Sequence, residues 1–122
     1  TGPFIQYAYA RMKSVLRKAA EAGHVIGDYS GVTPGEREIA LIRRLSDFPS
    51  VVAAAGRTYS PALIANYVYD LVKEYNQFYH DCPILRESDE KVLSLRLELT
   101  AVTARTVASA MGLLGIKVPE RM

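Results

Sequence analysis

The sequence predicts an all-α protein, an irregular bundle of about four to five helices. Apolar residues recur every three to four positions in each long segment, as they do on one face of a helix. No stretch alternates apolar and polar residues like an exposed strand, and no internal repeat or low-complexity segment interrupts the pattern. At 122 residues and 49% hydrophobic content, the chain is long enough for one domain to bury its own core without disulfides or metal. The expected organisation is a single helical domain over residues 1–122.

The first helix is predicted from Phe4 to Ala22, with Ile5, Ala8, Met12, Val15, Leu16 and Ala19 on its inward face and Gly23 at its C-terminal cap. Residues 24–33, with Gly27, Ser30 and Gly31 ahead of Pro34, read as a loop that either folds over a ligand or only connects two helices. A second helix is expected from Gly35 to Phe48. Its inward residues are Ile39, Leu41, Ile42 and Leu45, its polar margin Glu36, Arg37, Glu38, Arg43 and Arg44, and Pro49 interrupts it. A short apolar helix through Val51, Val52 and Ala55 should end at Gly56. Ser60-Pro61 reads as a cap and first-turn proline opening a long helix to about His80, with Ile64, Val68, Leu71, Tyr75 and Phe78 inward. After Cys82-Pro83, Ser88 is the predicted cap of a last helix from Asp89 to about Leu114, closed by Gly115. That helix has two apolar stripes, one through Leu95 and Leu99 and one through Leu93 and Leu97, which marks it as the central element.

Composition narrows function by exclusion. A net charge of +2 permits contact with nucleic acid but falls far below that of a dedicated polyanion binder. No stretch approaches the roughly 18 apolar residues of a membrane span. Neither a membrane nor DNA is expected as a partner. The single cysteine, Cys82, has no internal partner for a disulfide, and the N-terminus lacks the build of a signal peptide, so a cytoplasmic location is expected. Thr1-Gly2-Pro3 leads straight into helical pattern without an initiator methionine, as in a piece of a longer protein.

Catalytic signatures are lacking: there is no phosphate-binding glycine loop, no metal-spaced cysteine and histidine set, and no nucleophile elbow. Glu36, Glu38, Asp89 and Glu90 cluster as helix-start acids, which the helix dipole explains. His24 and His80 stand at predicted helix ends, and Cys82 beside Pro83 reads as a small buried side chain. No catalytic residue, metal or cofactor is expected within this chain.

The first helix carries something more specific. Beside its core stripe runs a second one of Phe4, Tyr7, Arg11, Ser14 and Lys18, adjoining Ala10. Tyrosine and phenylalanine can stack unpaired bases, while arginine and lysine can meet phosphates. Lys18 and Ser14 are the candidate phosphate contacts. The same residues also suit an extended core with a solvated margin, and the pattern alone leaves both readings open. Among eight tyrosines, Tyr67, Tyr69, Tyr75 and Tyr79 fall on the long helix, with Tyr75 and Tyr79 one turn apart.

Three segments carry a resemblance. Gly2-Pro3-Phe4-Ile5-Gln6-Tyr7-Ala8-Tyr9-Ala10-Arg11 resembles the opening of the helical C-terminal domain of arginyl-tRNA synthetases, and Gly115 to Met122, ending in Pro119-Glu120-Arg121-Met122, resembles that domain's terminus. Between them, Tyr75 to Leu85 is similar to the segment joining the family's last two long helices, and Arg96-Leu97 sits as expected in the last one. Together these span essentially the whole chain, in the right order.

The resemblance implies an anticodon-binding domain of a class I aminoacyl-tRNA synthetase. Its parent would attach arginine to tRNA using ATP, in a catalytic domain preceding Thr1. The implied partners are arginine tRNA, gripped at its anticodon loop, and that catalytic domain. By position, Phe4, Tyr7, Ala10, Arg11 and the terminal Met122 would line the pocket for the central cytosine, with Tyr75 and Tyr79 approaching from the long helix. Position 4 departs from the tyrosine of many family members, keeping a stacking face but losing a hydroxyl. The rival readings are a related domain of a cysteinyl or glycyl synthetase, and a helical scaffold that binds protein through its tyrosines.

Overall fold

A computed structural model describes residues 2–121 and contains five helices: α1 (Gly2–Glu21), α2 (Glu36–Ser46), α3 (Phe48–Thr58), α4 (Pro61–Asp81) and α5 (Glu90–Leu113). There is no strand among the described residues. The all-α bundle expected from apolar spacing is therefore what forms.

α1 buries Ile5, Ala8, Met12, Val15 and Ala19, and adds Tyr9 and Ala10 to the buried set. It ends where Gly23 takes φ +83, which lets the His24 amide reach back to the Ala19 carbonyl at 2.9 Å. Such a left-handed cap position suits glycine, which has no Cβ to clash. The same device closes α5: Gly115 has φ +78, and the Ile116 amide donates to the Met111 carbonyl at 2.9 Å.

The α2–α3 region differs from the expectation in three ways. α2 ends at Ser46, ahead of the expected Phe48, and Pro49 lies in the first turn of α3, where proline is tolerated because the amide it lacks would have no intrahelical acceptor. α3 continues past Gly56 to Thr58 and is capped by Tyr59, which adopts the left-handed conformation at φ 52 with its ring 92% exposed. In α2, Leu41 is buried as expected but Ile39 is exposed, and Glu38, expected at the polar margin, is buried. Glu38 accepts the Gly35 amide at 2.7 Å and pairs with Arg96 on α5, so its charge is compensated rather than solvated.

All five residues predicted to face inward from α4 are buried, and Tyr67 and Val72 join them. For α5 the cap is Asp89, not Ser88: its carboxylate accepts the amides of Lys91 and Val92 at 3.0 and 3.3 Å. α5 packs on α1, α2 and α4, which makes it the central element. Phe4 meets Tyr69, while Arg11 meets Asn76 and Tyr79, so α1 and α4 run parallel. Gly2 and Ile5 lie beside Met111 and Leu114, so α5 runs antiparallel to α1. From its end the chain returns along α1 as far as Arg17.

The loop over residues 24–33 is tied to the start of α5, where the Gly27 amide donates to Ser94 Oγ at 3.0 Å. Among the described residues no helix is long and apolar enough to cross a membrane.

Candidate nucleic-acid interface

The outward stripe of α1 forms one wall of a groove of about 400 Å³, lined by Tyr7, Ala10, Arg11, Ser14 and Arg17, with Glu120 and Arg121 opposite. An α-helix brings these positions together because residues three and four apart share a face. The returning tail supplies the second wall. Arg17 Nη1 donates to the Glu120 carbonyl at 3.3 Å, and Lys13 Nζ stands 3.4 Å from Glu120 Oε1. Met122, assigned to the same pocket by resemblance, lies outside the described residues.

Tyr7 is 62% exposed, so its ring is open to solvent at the groove. Behind it, the Arg11 guanidinium lies 4.6 Å from the centre of the Tyr79 ring and reaches Asn76 Oδ1 at 3.5 Å. The aromatic contact holds the guanidinium in place while leaving most of its donors unused. A second cavity, of about 480 Å³, adjoins Tyr79 and is walled by His80, Pro83 and Arg86. Tyr79 thus lines this second hollow and touches the first through Arg11.

Phe4 lies two turns below Arg11 and packs against Tyr69 of α4, ring centres 5.4 Å apart and tilted by 46°. Lys73 Nζ is 5.4 Å from the centre of the same Tyr69 ring. Lys18 is exposed one turn beyond Ser14 and does not line the groove.

Tyr75 needs correction as a contact residue. It is fully buried, packs against Phe78, and its hydroxyl lies 3.2 Å from Thr100 Oγ1. Burial holds its phenol proton well above the ordinary range, the Thr100 hydrogen bond opposing this in part. Its ring presents no face to a base. It packs instead against Tyr79, ring centres 6.2 Å apart and tilted by 31°, and so supports the exposed ring.

Arg96 is the other outcome that sequence spacing did not specify. Nε donates to Glu38 Oε2 at 3.0 Å, and Nη1 donates to the Pro83 carbonyl at 2.6 Å and to Glu87 Oε1 at 3.0 Å. One guanidinium thereby joins α2, the α4–α5 connection and α5. Burial pushes the Cys82 thiol up, with Arg96 pulling it down by less, so it is a poor nucleophile at neutral pH. No group of three or more acidic, histidine or cysteine side chains is arranged to hold a metal among the described residues.

Arg17, Tyr69, Lys73 and Asn76 were absent from the sequence-derived site. Arg17 falls three residues after Ser14 and was visible as a neighbour of the stripe. Tyr69 and Lys73, four apart, carried an aromatic and cationic signal, but nothing in α4 alone announced that this face meets α1.

Comparison with known proteins agrees with this architecture. The family described as DALR anticodon binding domain matches residues 5–122. The arginine–tRNA ligase of Phocaeicola vulgatus is 60% identical over the full length of this chain, which spans 20% of that protein. The arginine–tRNA ligase of Porphyromonas gingivalis is 52% identical, the chain again covered in full and spanning 21% of the relative. Among solved structures, Thermus thermophilus arginyl-tRNA synthetase superposes with a TM-score of 0.88 at 37% identity, covering all of this chain and 21% of that one. The chain spans about a fifth of the length of these relatives. By fold, by sequence and by the extent of the match, it belongs to the DALR anticodon binding domain family.

Proposed function

We propose that this domain reads the anticodon loop of arginine tRNA, taking the central cytosine into the groove between α1 and the tail. The observation that carries the proposal is the exposed Tyr7 ring beside an Arg11 guanidinium that lies over the Tyr79 ring. Unpaired bases are recognised by stacking on such surfaces and by hydrogen bonds to their edges, each stack contributing about 1 to 3 kcal/mol. Buried Ala10 leaves room at the groove floor for a base. Arg11 donates to the acceptor edge of the cytosine, Phe4 and Tyr79 flank it, and Met122 is assigned to the same pocket by the resemblance. Ser14 and Arg17 face the adjoining phosphate, with Lys18 one turn further on. Tyr75 acts only through Tyr79.

The remainder of the protein is proposed to join arginine to the tRNA at the expense of ATP in its catalytic domain, in the cytoplasm where translation runs. This domain contributes recognition and orientation. It requires no cofactor of its own.

The test is NMR shift mapping of the domain with an anticodon stem-loop bearing a central cytosine, against the same hairpin with that base replaced. The expected result is shifts centred on Phe4, Tyr7, Arg11 and the tail that weaken when the base is replaced. Affinity should also fall steeply with salt, as phosphate contacts require. Equal binding of both hairpins would overturn the cytosine pocket and leave a protein-binding scaffold as the reading to pursue.

A further inference from the structure

The tail that forms the second wall of the groove is tied to the bundle at few points. After the Gly115 cap, the Ile116 amide reaches the Met111 carbonyl, and Val118 packs partly buried against the core. From Lys117 to Arg121 no backbone ladder forms, and among the described residues the polar contacts of this stretch all fall on Glu120. Its carbonyl accepts from Arg17 Nη1 at 3.3 Å, and its carboxylate lies 3.4 Å from Lys13 Nζ.

Lys13 and Arg17 stand one turn apart on α1, a spacing at which like charges repel. Glu120 relieves that repulsion by meeting both. The benefit is mutual, because a carboxylate left unpaired on the groove wall would turn away the phosphates of an entering strand. A chain end with so few ties opens at small free-energy cost, so one contact point sets how often the second wall is in place. Apparent affinity for a ligand that needs the wall falls with the fraction of the domain in which it is formed.

We infer that Lys13 and Arg17 clamp Glu120 and so act as positioning residues for recognition, holding the tail against α1 to complete the groove. The inference rests on the anticodon-loop reading above and adds a residue to it. Lys13 does not line the groove; its ammonium acts through Glu120. Arg17 gives one donor to the clamp and keeps the others for a phosphate.

Charge reversal separates this positioning from a general attraction for RNA. Lys13→Glu makes the domain more negative and Glu120→Lys makes it more positive, so attraction for phosphates changes in opposite senses. Both set like charges against each other at the clamp, and both open the tail. The double variant Lys13→Glu with Glu120→Lys restores the pair at the original net charge. Two quantities are read: the ratio of affinities for the central-cytosine hairpin and the replaced one, and the amide shifts of residues 117–121 in the free domain. Each single reversal is expected to cut the ratio about threefold and to move the tail amides towards random-coil values. The double variant should recover both.

If the single variants keep the ratio and the tail shifts of the unaltered domain, the clamp is refuted and the groove stands. A ratio that falls for one reversal and rises for the other would mean that both residues act through charge alone, and the inference fails. It fails as well if the tail shifts move while the ratio does not, or if the double variant recovers neither. An unaltered domain that binds both hairpins alike removes the groove reading, and the clamp's part in recognition with it, even where the tail shifts respond as expected.

Discussion

Arg96 and Arg11 both bridge helices, and both belong to segments that resemble the same family, yet their surroundings are opposite. Arg96 is enclosed: its side chain is 15% exposed, two carboxylates pair with it, and a backbone carbonyl takes a third hydrogen bond. Arg11 is open, held by an aromatic face and one long hydrogen bond to Asn76. An arginine with three of its five donors taken inside the protein and its side chain enclosed has little to offer a ligand. One held in place while its donors stay free is pre-organised for one. The difference separates a residue that holds the fold from a residue that uses it.

The sharpest way to break that comparison is to remove Arg96. In Arg96→Met, Glu38 is left as a buried carboxylate whose one remaining partner is the Gly35 amide. Breaking a buried pair from one side typically costs 3–5 kcal/mol. The Pro83 carbonyl and Glu87 reach solvent more easily, so a loss of about 3 kcal/mol in urea unfolding is expected. A loss below about 1 kcal/mol would mean that the cluster is solvated and that Arg96 is not what joins the three elements.

Arg11→Ala should behave in the opposite manner. Its contacts to Tyr79 and Asn76 lie at the surface, where a cation–π contact contributes about 0.5–1 kcal/mol, so unfolding should shift by no more than that. Affinity for the cytosine hairpin, measured by titration, should fall about tenfold or more, since both the stacking plane and the donors are lost. Arg11→Lys should recover only the part due to charge. Stability loss equal to that of Arg96→Met, or undiminished affinity, would erase the distinction between the two arginines.

This contrast also shows where sequence reading was informative. Periodicity located α1, α4 and α5 because each buries a continuous stripe, and a stripe is a local property of the chain. It was less exact between residues 46 and 59: the short helix with its first-turn proline is present, but it meets α2 at a single residue, Asp47, and runs past Gly56 to Thr58. Glu38 was unreadable for a different reason. Its burial depends on Arg96, 58 positions away, and no local pattern announces a long-range partner. The candidate site divides in the same manner. Tyr7, Ala10, Arg11 and Ser14 were legible because one helix face displays them all, whereas the tail wall, Asn76 and the Tyr69–Lys73 pair exist only once α1, α4 and the returning chain are packed. Tyr75 marks the limit of resemblance: a tyrosine one turn from an exposed one belongs to the core when its own helix turns it inward.

Tyr75 and Tyr79 therefore repeat the comparison within four residues, and Tyr75→Phe sharpens it by the smallest step. Thr100 Oγ1 already donates to the Arg96 carbonyl at 3.0 Å, so the Tyr75 hydroxyl is the donor in their shared bond. Removing it orphans no buried donor, and the expected cost at neutral pH is about 1 kcal/mol. Hairpin affinity should stay within about twofold, because a buried ring touches no base; a tenfold loss would return Tyr75 to the contact surface. The alkaline limb gives an independent check. Tyr67, whose hydroxyl donates to the Arg44 carbonyl, is pushed from an ordinary 10.0 up to about 12, chiefly by burial and then by Asp47, with Arg44 opposing. Tyr75 is raised in the same direction. Both phenols are protonated in the folded protein and ionise more readily when unfolded. Their contribution is complete below pH 10 and is lost as pH rises towards 12 and beyond. Tyr75→Phe removes one of the two ionisations that favour the unfolded chain. Its deficit at pH 7 should shrink above pH 10 and then reverse, and parallel stability curves across that range would show that the Tyr75 phenol is not held neutral by the core.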